Sequence, residues 1–187
     1  MMSSLPIARM ADVCKQYGPG RLPLADRKDI GAGYAMATAA VVATLITVLT
    51  GSVLDRIFGP TSFWAVLFYG TFAFPLVVPT AFLSGVGAWR YLPASLPRFG
   101  IVAGVVATGL SYLVGTLVAS GAISLYALWA SPLPTGSPLA DLLGGVYFYS
   151  FYIGAVALVS TVWLTLPLGA LGGSIYERAR TASTQAC

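Results

Sequence analysis

Histidine is absent from this chain of 187 residues, and cysteine occurs only as Cys14 and Cys187. The lack of histidine excludes haem ligation by histidine and histidine-based zinc sites, and it removes the usual base for a nucleophilic serine. Two thiols so far apart in the sequence make a poor metal site. Phosphate-binding glycine loops and G-x-S-x-G motifs are also missing. We therefore expect a protein that is not an enzyme and that holds neither a cofactor nor a metal ion.

Charged residues are scarce as well, at 9% of the chain, against about 25% in ordinary soluble domains. They are spaced so that four long stretches contain none. These stretches hold 25 residues between Asp29 and Asp55, 33 between Arg56 and Arg90, 42 between Arg98 and Asp141, and 35 between Asp141 and Glu177. A helix needs about 20 apolar residues to cross the hydrocarbon core of a bilayer. The sequence therefore predicts an all-α integral membrane protein with four transmembrane helices.

The charge gaps also predict how the chain is divided. The four spans are expected at residues 31–54, 62–89, 99–129 and 143–176, which together form a transmembrane domain at 31–176. A cytoplasmic N-terminal segment, residues 1–30, precedes this domain, and a polar, frayed cytoplasmic tail, residues 177–187, follows it. Residues 5–17 of the first segment fit a short amphipathic helix on the membrane surface, with a partly ordered tail as the alternative.

The basic residues predict the orientation in the membrane. With four spans, both termini lie on the same side as the loop between the second and third spans, and nine of the ten Lys and Arg residues fall there. Both termini are therefore predicted to be cytoplasmic, or on the matrix side in an organelle, with the plasma membrane favoured. Trp89 and Tyr91 are expected at that interface. A nucleic-acid partner is not expected, because the charges flank the spans instead of forming one patch.

Parts of the sequence recur in the two halves of the predicted domain. At an offset of 64, residues 41–44 match 105–108, and Leu49 and Gly51 match Leu113 and Gly115. At an offset of 88, Pro79, Leu83, Gly85 and Arg90 match Pro167, Leu171, Gly173 and Arg178. These matches indicate two repeated helical hairpins related by an axis along the membrane normal. Chance similarity between apolar segments of low complexity is the alternative.

Three prolines interrupt the spans, Pro75 and Pro79 in the second and Pro167 in the fourth. Each removes a backbone donor and clashes one turn earlier, so kinks are expected. Paired interruptions are typical of substrate sites in transporters, but they are also tolerated as kinks that improve packing. The predicted spans contain no ionisable residue of the kind that marks ion pathways, which favours the packing interpretation.

Small and aromatic residues supply the remaining candidates for a site. Gly169 and Gly173 form a G-x-x-x-G motif, and Gly115 lies in a run of small residues in the third span. Such faces let helices approach closely, either within this chain or against another subunit. Tyr112 and Trp163 lie deep in the predicted spans and need hydrogen-bond partners, which makes them candidates for an internal cavity.

Three functions are compatible with this sequence. The favoured one is an accessory or scaffold subunit that lies in the lipid bilayer and packs against other membrane subunits or copies of itself. The alternative is a small transporter or channel for an uncharged or weakly polar solute, lined by the three prolines and by Thr80, Tyr112, Thr116 and Thr165. The third is a lipid-modifying membrane enzyme that uses Asp55 and Asp141.

Overall fold

The computed structural model describes residues 22–25, 27–58, 63–93, 95–130 and 137–185, without the side chains of 55, 58, 63–73, 138 and 182–185. These residues form four α-helices and no β-strand, which confirms the prediction of an all-α protein. The helices are α1 (Lys28–Phe58), α2 (Phe63–Tyr91), α3 (Phe99–Ala130) and α4 (Pro138–Gln185). The amphipathic helix predicted at residues 5–17 lies outside the described residues.

Three helices are long and apolar enough to cross a membrane over the residues described. These stretches are Lys28–Leu54 in α1, Phe99–Ala130 in α3 and Leu139–Thr181 in α4. Large apolar side chains are exposed along all three helices, for example Leu45, Leu113 and Val159. In water this exposure would be unfavourable, whereas in a bilayer lipid covers it. The helices therefore fit an integral membrane location and a lipid environment.

The four helices pack as two hairpins joined side by side. The most extensive contacts are those of α3 with α4 and of α1 with α2. The two hairpins meet where α2 packs on α3 and α1 on α4, and α1 barely touches α3 across the bundle. Each helix thus has two neighbours, as in a four-helix bundle with consecutive helices adjacent.

Capping explains why α4 begins before residue 143, the start predicted from hydropathy. The Ser137 hydroxyl accepts a hydrogen bond from the backbone N–H of Ala140 at 3.3 Å, and Pro138 occupies the first helical position. Serine is a favoured N-cap, and proline suits the first turn because the N–H that it lacks would have no partner there. Asp141 therefore lies in the first turn of α4 and not in the preceding loop.

The C-terminal end of α4 corrects a second expectation. The tail was predicted to be frayed from residue 177, but α4 continues to Gln185. Glu177 is held by a contact to α3, and the Thr181 hydroxyl donates to the carbonyl of Glu177 at 2.8 Å. A polar segment with good helix formers can extend a helix that is already nucleated, because each added residue gains one backbone bond.

The buried apolar residues gather at one end of the bundle, where α1 and α3 begin and α2 ends. This core consists of Ala32, Met36, Ala88, Trp89, Phe99, Ala103 and Ala107. We call this end of the bundle the basic end, because Arg27, Lys28, Arg90, Arg98, Arg178 and Arg180 lie there. Alanines dominate the core, so the helix backbones approach one another closely there.

Candidate functional site

Trp89 is the centre of the core at the basic end. Its side chain is 3% exposed and packs inside the bundle, whereas the Tyr91 side chain is 83% exposed. The indole ring meets Phe99 of α3 and Tyr176 of α4 edge to face, with centroids 5.5 and 5.7 Å apart. Each such pair contributes about 0.5–1.5 kcal/mol beyond its buried area. Trp89 therefore holds α2 against α3 and reaches across the bundle to Tyr176 of α4.

Polar contacts surround this aromatic core. The Tyr176 hydroxyl donates to the carbonyl of Lys28 at 3.0 Å, and the Lys28 ammonium lies 4.9 Å from the centroid of the Phe99 ring. The Glu177 carboxylate accepts the backbone N–H of Gly100 at 2.7 Å. The first amides of a helix have no partner within the helix, and negative charge is favourable there. Glu177 thus supplies from α4 the acceptor that the start of α3 needs.

Two G-x-x-x-G motifs face each other between α3 and α4. A Cβ atom added at Gly104 would lie 2.9 Å from the carbonyl carbon of Gly169, and one added at Gly173 would lie 3.0 Å from that of Gly100. Both obstacles are backbone atoms, which move only if the helices separate. The sequence indicates the motif of α4 and the small side of α3, but not the pairing of Gly169 and Gly173 with Gly100 and Gly104. The motif therefore packs within this chain.

The line of contact between α3 and α4 continues from Gly100 and Gly104 along α3 at every fourth residue. We call this line the seam. The next members are Thr108, Tyr112, Thr116, Ser120 and Ser124. The Tyr112 hydroxyl is hydrogen bonded to the hydroxyls of Thr161 and of Thr165, the latter at 2.7 Å, and the Ser120 hydroxyl lies 2.6 Å from that of Ser150. Residues four positions apart differ by about 40° around a helix. A line of contacts with this spacing therefore winds around the helix axis, as it does in a right-handed helix pair. This regular spacing is the signal in the sequence that could have revealed the seam.

Ser124 ends the seam with a hydroxyl for which the described residues supply no hydrogen-bond partner. The side chain is 3% exposed and faces Gly145, where an added Cβ atom would lie 2.8 Å from its Oγ atom. Leaving a buried hydroxyl unpaired costs about 1–3 kcal/mol. Where α3 packs closely on α4 at this level, the Ser124 hydroxyl therefore has no hydrogen bond from the described residues.

Gly115 lies on the face of α3 that meets α2. An added Cβ atom would be 3.7 Å from the Thr80 Oγ1 atom, which is ordinary contact. Thr80 is buried, and its hydroxyl donates to the carbonyls of Leu76 and Val77. The interior of the bundle at this level is thus lined by uncharged hydroxyl groups.

The other predicted candidates lie on the outer surface. Helices α2 and α4 continue through Pro75, Pro79 and Pro167, and all three rings are exposed. Trp163 is 64% exposed, and its indole N–H donates to the carbonyl of Ser160 at 2.8 Å. A cavity or path inside this single chain would therefore not be lined by these side chains.

Acidic groups do not converge in the described part of the chain. Asp141 is exposed at the start of α4, and the side chain of Asp55 lies outside the described residues. Among the residues described, no three Cys, Asp or Glu residues come together as a metal site would require. The groups that do converge are glycines, hydroxyls and aromatic rings, which pack helices and form neutral hydrogen bonds.

No family model, curated protein or solved structure matches this chain.

Proposed function

We propose that this protein is a non-enzymatic integral membrane protein, an accessory or scaffold subunit whose helix α4 packs against helices of other membrane subunits. The observation that carries this proposal is the exposure of α4. It is the longest of the four helices, yet its most apolar stretch contains no buried residue over the part described. Within the described residues, that surface has no protein partner.

The exposed surface of α4 has the character of an interface. At 100° per residue, four large side chains fall within an arc of about 60°. We call them the α4 stripe: Phe148, Tyr152, Val159 and Trp163, each at least 60% exposed. Aromatic residues are enriched at protein interfaces and contribute much of the binding energy. The G-x-x-x-G motifs are occupied within the chain, so recognition by another helix would use these large side chains.

Membrane topology belongs to the same proposal. The proposal includes four crossings, both termini in the cytoplasm and location in the plasma membrane. The orientation is supported by the nine basic residues that fall on one side of the predicted spans. Helix α2 supplies the fourth crossing, in addition to the three apolar stretches above. The proposed divisions at residues 30 and 176 follow from this topology, with the helical tail of α4 extending into the cytoplasm.

Equivalent contacts in the two hairpins support the proposal that they are repeats. A Cβ atom added at Gly85 would lie 3.0 Å from the Met36 Cβ atom, and one added at Gly173 would lie 3.0 Å from the Gly100 carbonyl carbon. The offsets of 64 and 88 residues relate Met36 to Gly100 and Gly85 to Gly173. These two close approaches thus occur at matching positions, which chance similarity of apolar segments does not require.

Photo-crosslinking in native membranes tests the subunit proposal. A photoreactive residue placed at Phe148 or at Trp163 should yield adducts of discrete protein mass. Leu49 of α1 and Leu83 of α2 are exposed on other surfaces and are the matched control positions. An adduct at twice the chain mass would identify the partner as a second copy. Lipid adducts alone at the α4 stripe, with a monomer in gentle detergent, would reject the proposal.

A small transporter for an uncharged or weakly polar solute is the second candidate. It is favoured by neutral hydroxyls at two helix contacts: Thr80 lies where α2 meets α3, and Tyr112, Thr161 and Thr165 lie where α3 meets α4. A solute could exchange its hydrogen bonds with water for bonds to these groups. In reconstituted vesicles, Tyr112→Phe should then reduce solute flux, whereas Pro79→Ala should not, because that ring is exposed. Absence of flux, or flux unaffected by Tyr112→Phe, would remove this candidate.

A further inference from the structure

Positive charge predominates at the basic end. The described residues there include six basic side chains and two acidic ones, Asp29 and Glu177. Both acids are engaged: Asp29 lies 3.5 Å from the Arg27 guanidinium, and Glu177 accepts the Gly100 amide. Arg90, Arg98 and Arg178 are exposed. Over the described residues, basic side chains at this end therefore outnumber acidic ones by six to two.

The fold holds these exposed arginines around a single rigid core. Arg90 follows Trp89 directly, Arg98 precedes Phe99, and Arg178 is two residues after Tyr176. The Trp89 ring contacts both the Phe99 ring and the Tyr176 ring edge to face, so the chain next to each arginine is held by the same cluster. Arg90 lies in α2, Arg98 directly precedes α3 and Arg178 lies in α4, so three segments of the bundle contribute positive charge to this end.

The positions of the arginines along the chain indicate which kind of anion the basic end binds. Each lies within two residues of the end of a predicted span, which corresponds to the level of the lipid headgroups. Exposed Tyr91 lies beside them, and tyrosine is enriched at that depth. Residues 1–21 carry Arg9, Lys15 and Arg21 against Asp12, so their charge is of the same sign and does not complement the surface.

We infer that the basic end binds the phosphate headgroups of anionic phospholipids in the leaflet that it faces. Basic surfaces between membrane helices on the cytoplasmic side are suited to such headgroups, because each arginine adds both charge and planar hydrogen-bond donors. The inference rests on the membrane location in the proposed function, but not on a partner subunit.

Native mass spectrometry of the full chain in detergent tests this inference. Phosphatidylglycerol is the probe, and phosphatidylcholine is the neutral comparison. The wild-type protein should bind phosphatidylglycerol more tightly. Each arginine near a headgroup contributes about fivefold in affinity, so Arg90→Gln combined with Arg178→Gln should weaken phosphatidylglycerol binding about 25-fold and leave phosphatidylcholine binding unchanged.

Arg56→Gln is the matched control, because Arg56 is exposed at the opposite end of the bundle. This change should leave the preference for phosphatidylglycerol intact. Equal binding of the two lipids by the wild type, or an equal loss in the control and the double variant, would overturn the inference. Failure to find a crosslinked partner at the α4 stripe would reject the subunit proposal while leaving this result unaffected.

Discussion

At the scale of single residues, the absence of a side chain at Gly104 sets how closely α3 approaches α4. The nearest obstacle to an added Cβ atom is the backbone of Gly169. Gly109, in the same helix, has no atom within 4 Å of the corresponding position. The two glycines therefore separate the effect of close approach from that of helix propensity.

Gly104→Ala should lower the free energy of unfolding by about 1–3 kcal/mol, because the two backbones must move apart. Gly109→Ala should leave it unchanged or raise it by up to about 1 kcal/mol, because alanine favours the helix and meets open space. Denaturant titration of the protein in mixed micelles measures both variants. Equal effects of the two changes would show that the contact between the glycine motifs does not limit stability.

Tyr112 provides a second test at this scale. Tyr112→Phe removes the hydroxyl that bonds Thr161 and Thr165, so the free energy of unfolding should fall by about 0.6–2 kcal/mol. Tyr126 is exposed, so Tyr126→Phe should have little effect. A double-mutant cycle with Thr165→Val measures the interaction itself. A coupling energy of zero in that cycle would contradict the proposed bond between α3 and α4.

At the scale of the helices, each predicted membrane span overlaps one helix of the structure. Residues 31–54, 62–89 and 99–129 differ by only a few residues from Lys28–Phe58, Phe63–Tyr91 and Phe99–Ala130. The fourth helix is longer than its predicted span, residues 143–176, at both ends. A span predicted from hydropathy ends where polar residues begin. Helix formation instead depends on caps and backbone bonds, which Ser137 and the segment after Tyr176 supply.

The cap of α4 yields a prediction for this element. Ser137→Ala should destabilise the first turn of α4 by about 1 kcal/mol, because the amide of Ala140 loses its acceptor. Hydrogen exchange at the first turn should accelerate about fivefold. Ser174→Ala is the control, since that hydroxyl bonds only the carbonyl of Leu171 in its own helix. Unchanged exchange in Ser137→Ala would mean that Pro138 alone fixes the start of α4.

At the scale of the whole molecule, which side of each helix faces inward could be predicted only in part. The G-x-x-x-G motif of α4 was visible, but its pairing with Gly100 and Gly104 depends on the register of two helices, which one motif does not specify. Tyr112 and Trp163 were equivalent candidates from the sequence. Trp163 is two residues after Thr161, or about 200° around the helix, so it faces away when Thr161 bonds Tyr112.

The aromatic core at the basic end should determine the stability of the assembled bundle. Trp89→Ala should lower the free energy of unfolding by about 3–5 kcal/mol, because the cavity left behind separates α2 from α3 and α4. Trp129 is 84% exposed, so Trp129→Ala should change the free energy by less than about 0.5 kcal/mol. Circular dichroism during thermal unfolding compares the two. Similar losses in both variants would place the main stabilising contacts elsewhere.

The 48 residues of α4 form a rod about 72 Å long, more than twice the thickness of the hydrocarbon layer of about 30 Å. A rod of that length cannot be accommodated by the bilayer, even when strongly inclined. Its terminal turns must project into water. A change in the tilt of α4 therefore displaces these turns further than it displaces the membrane-embedded part. A fluorophore on those turns would therefore detect small movements of the membrane-embedded part as large displacements.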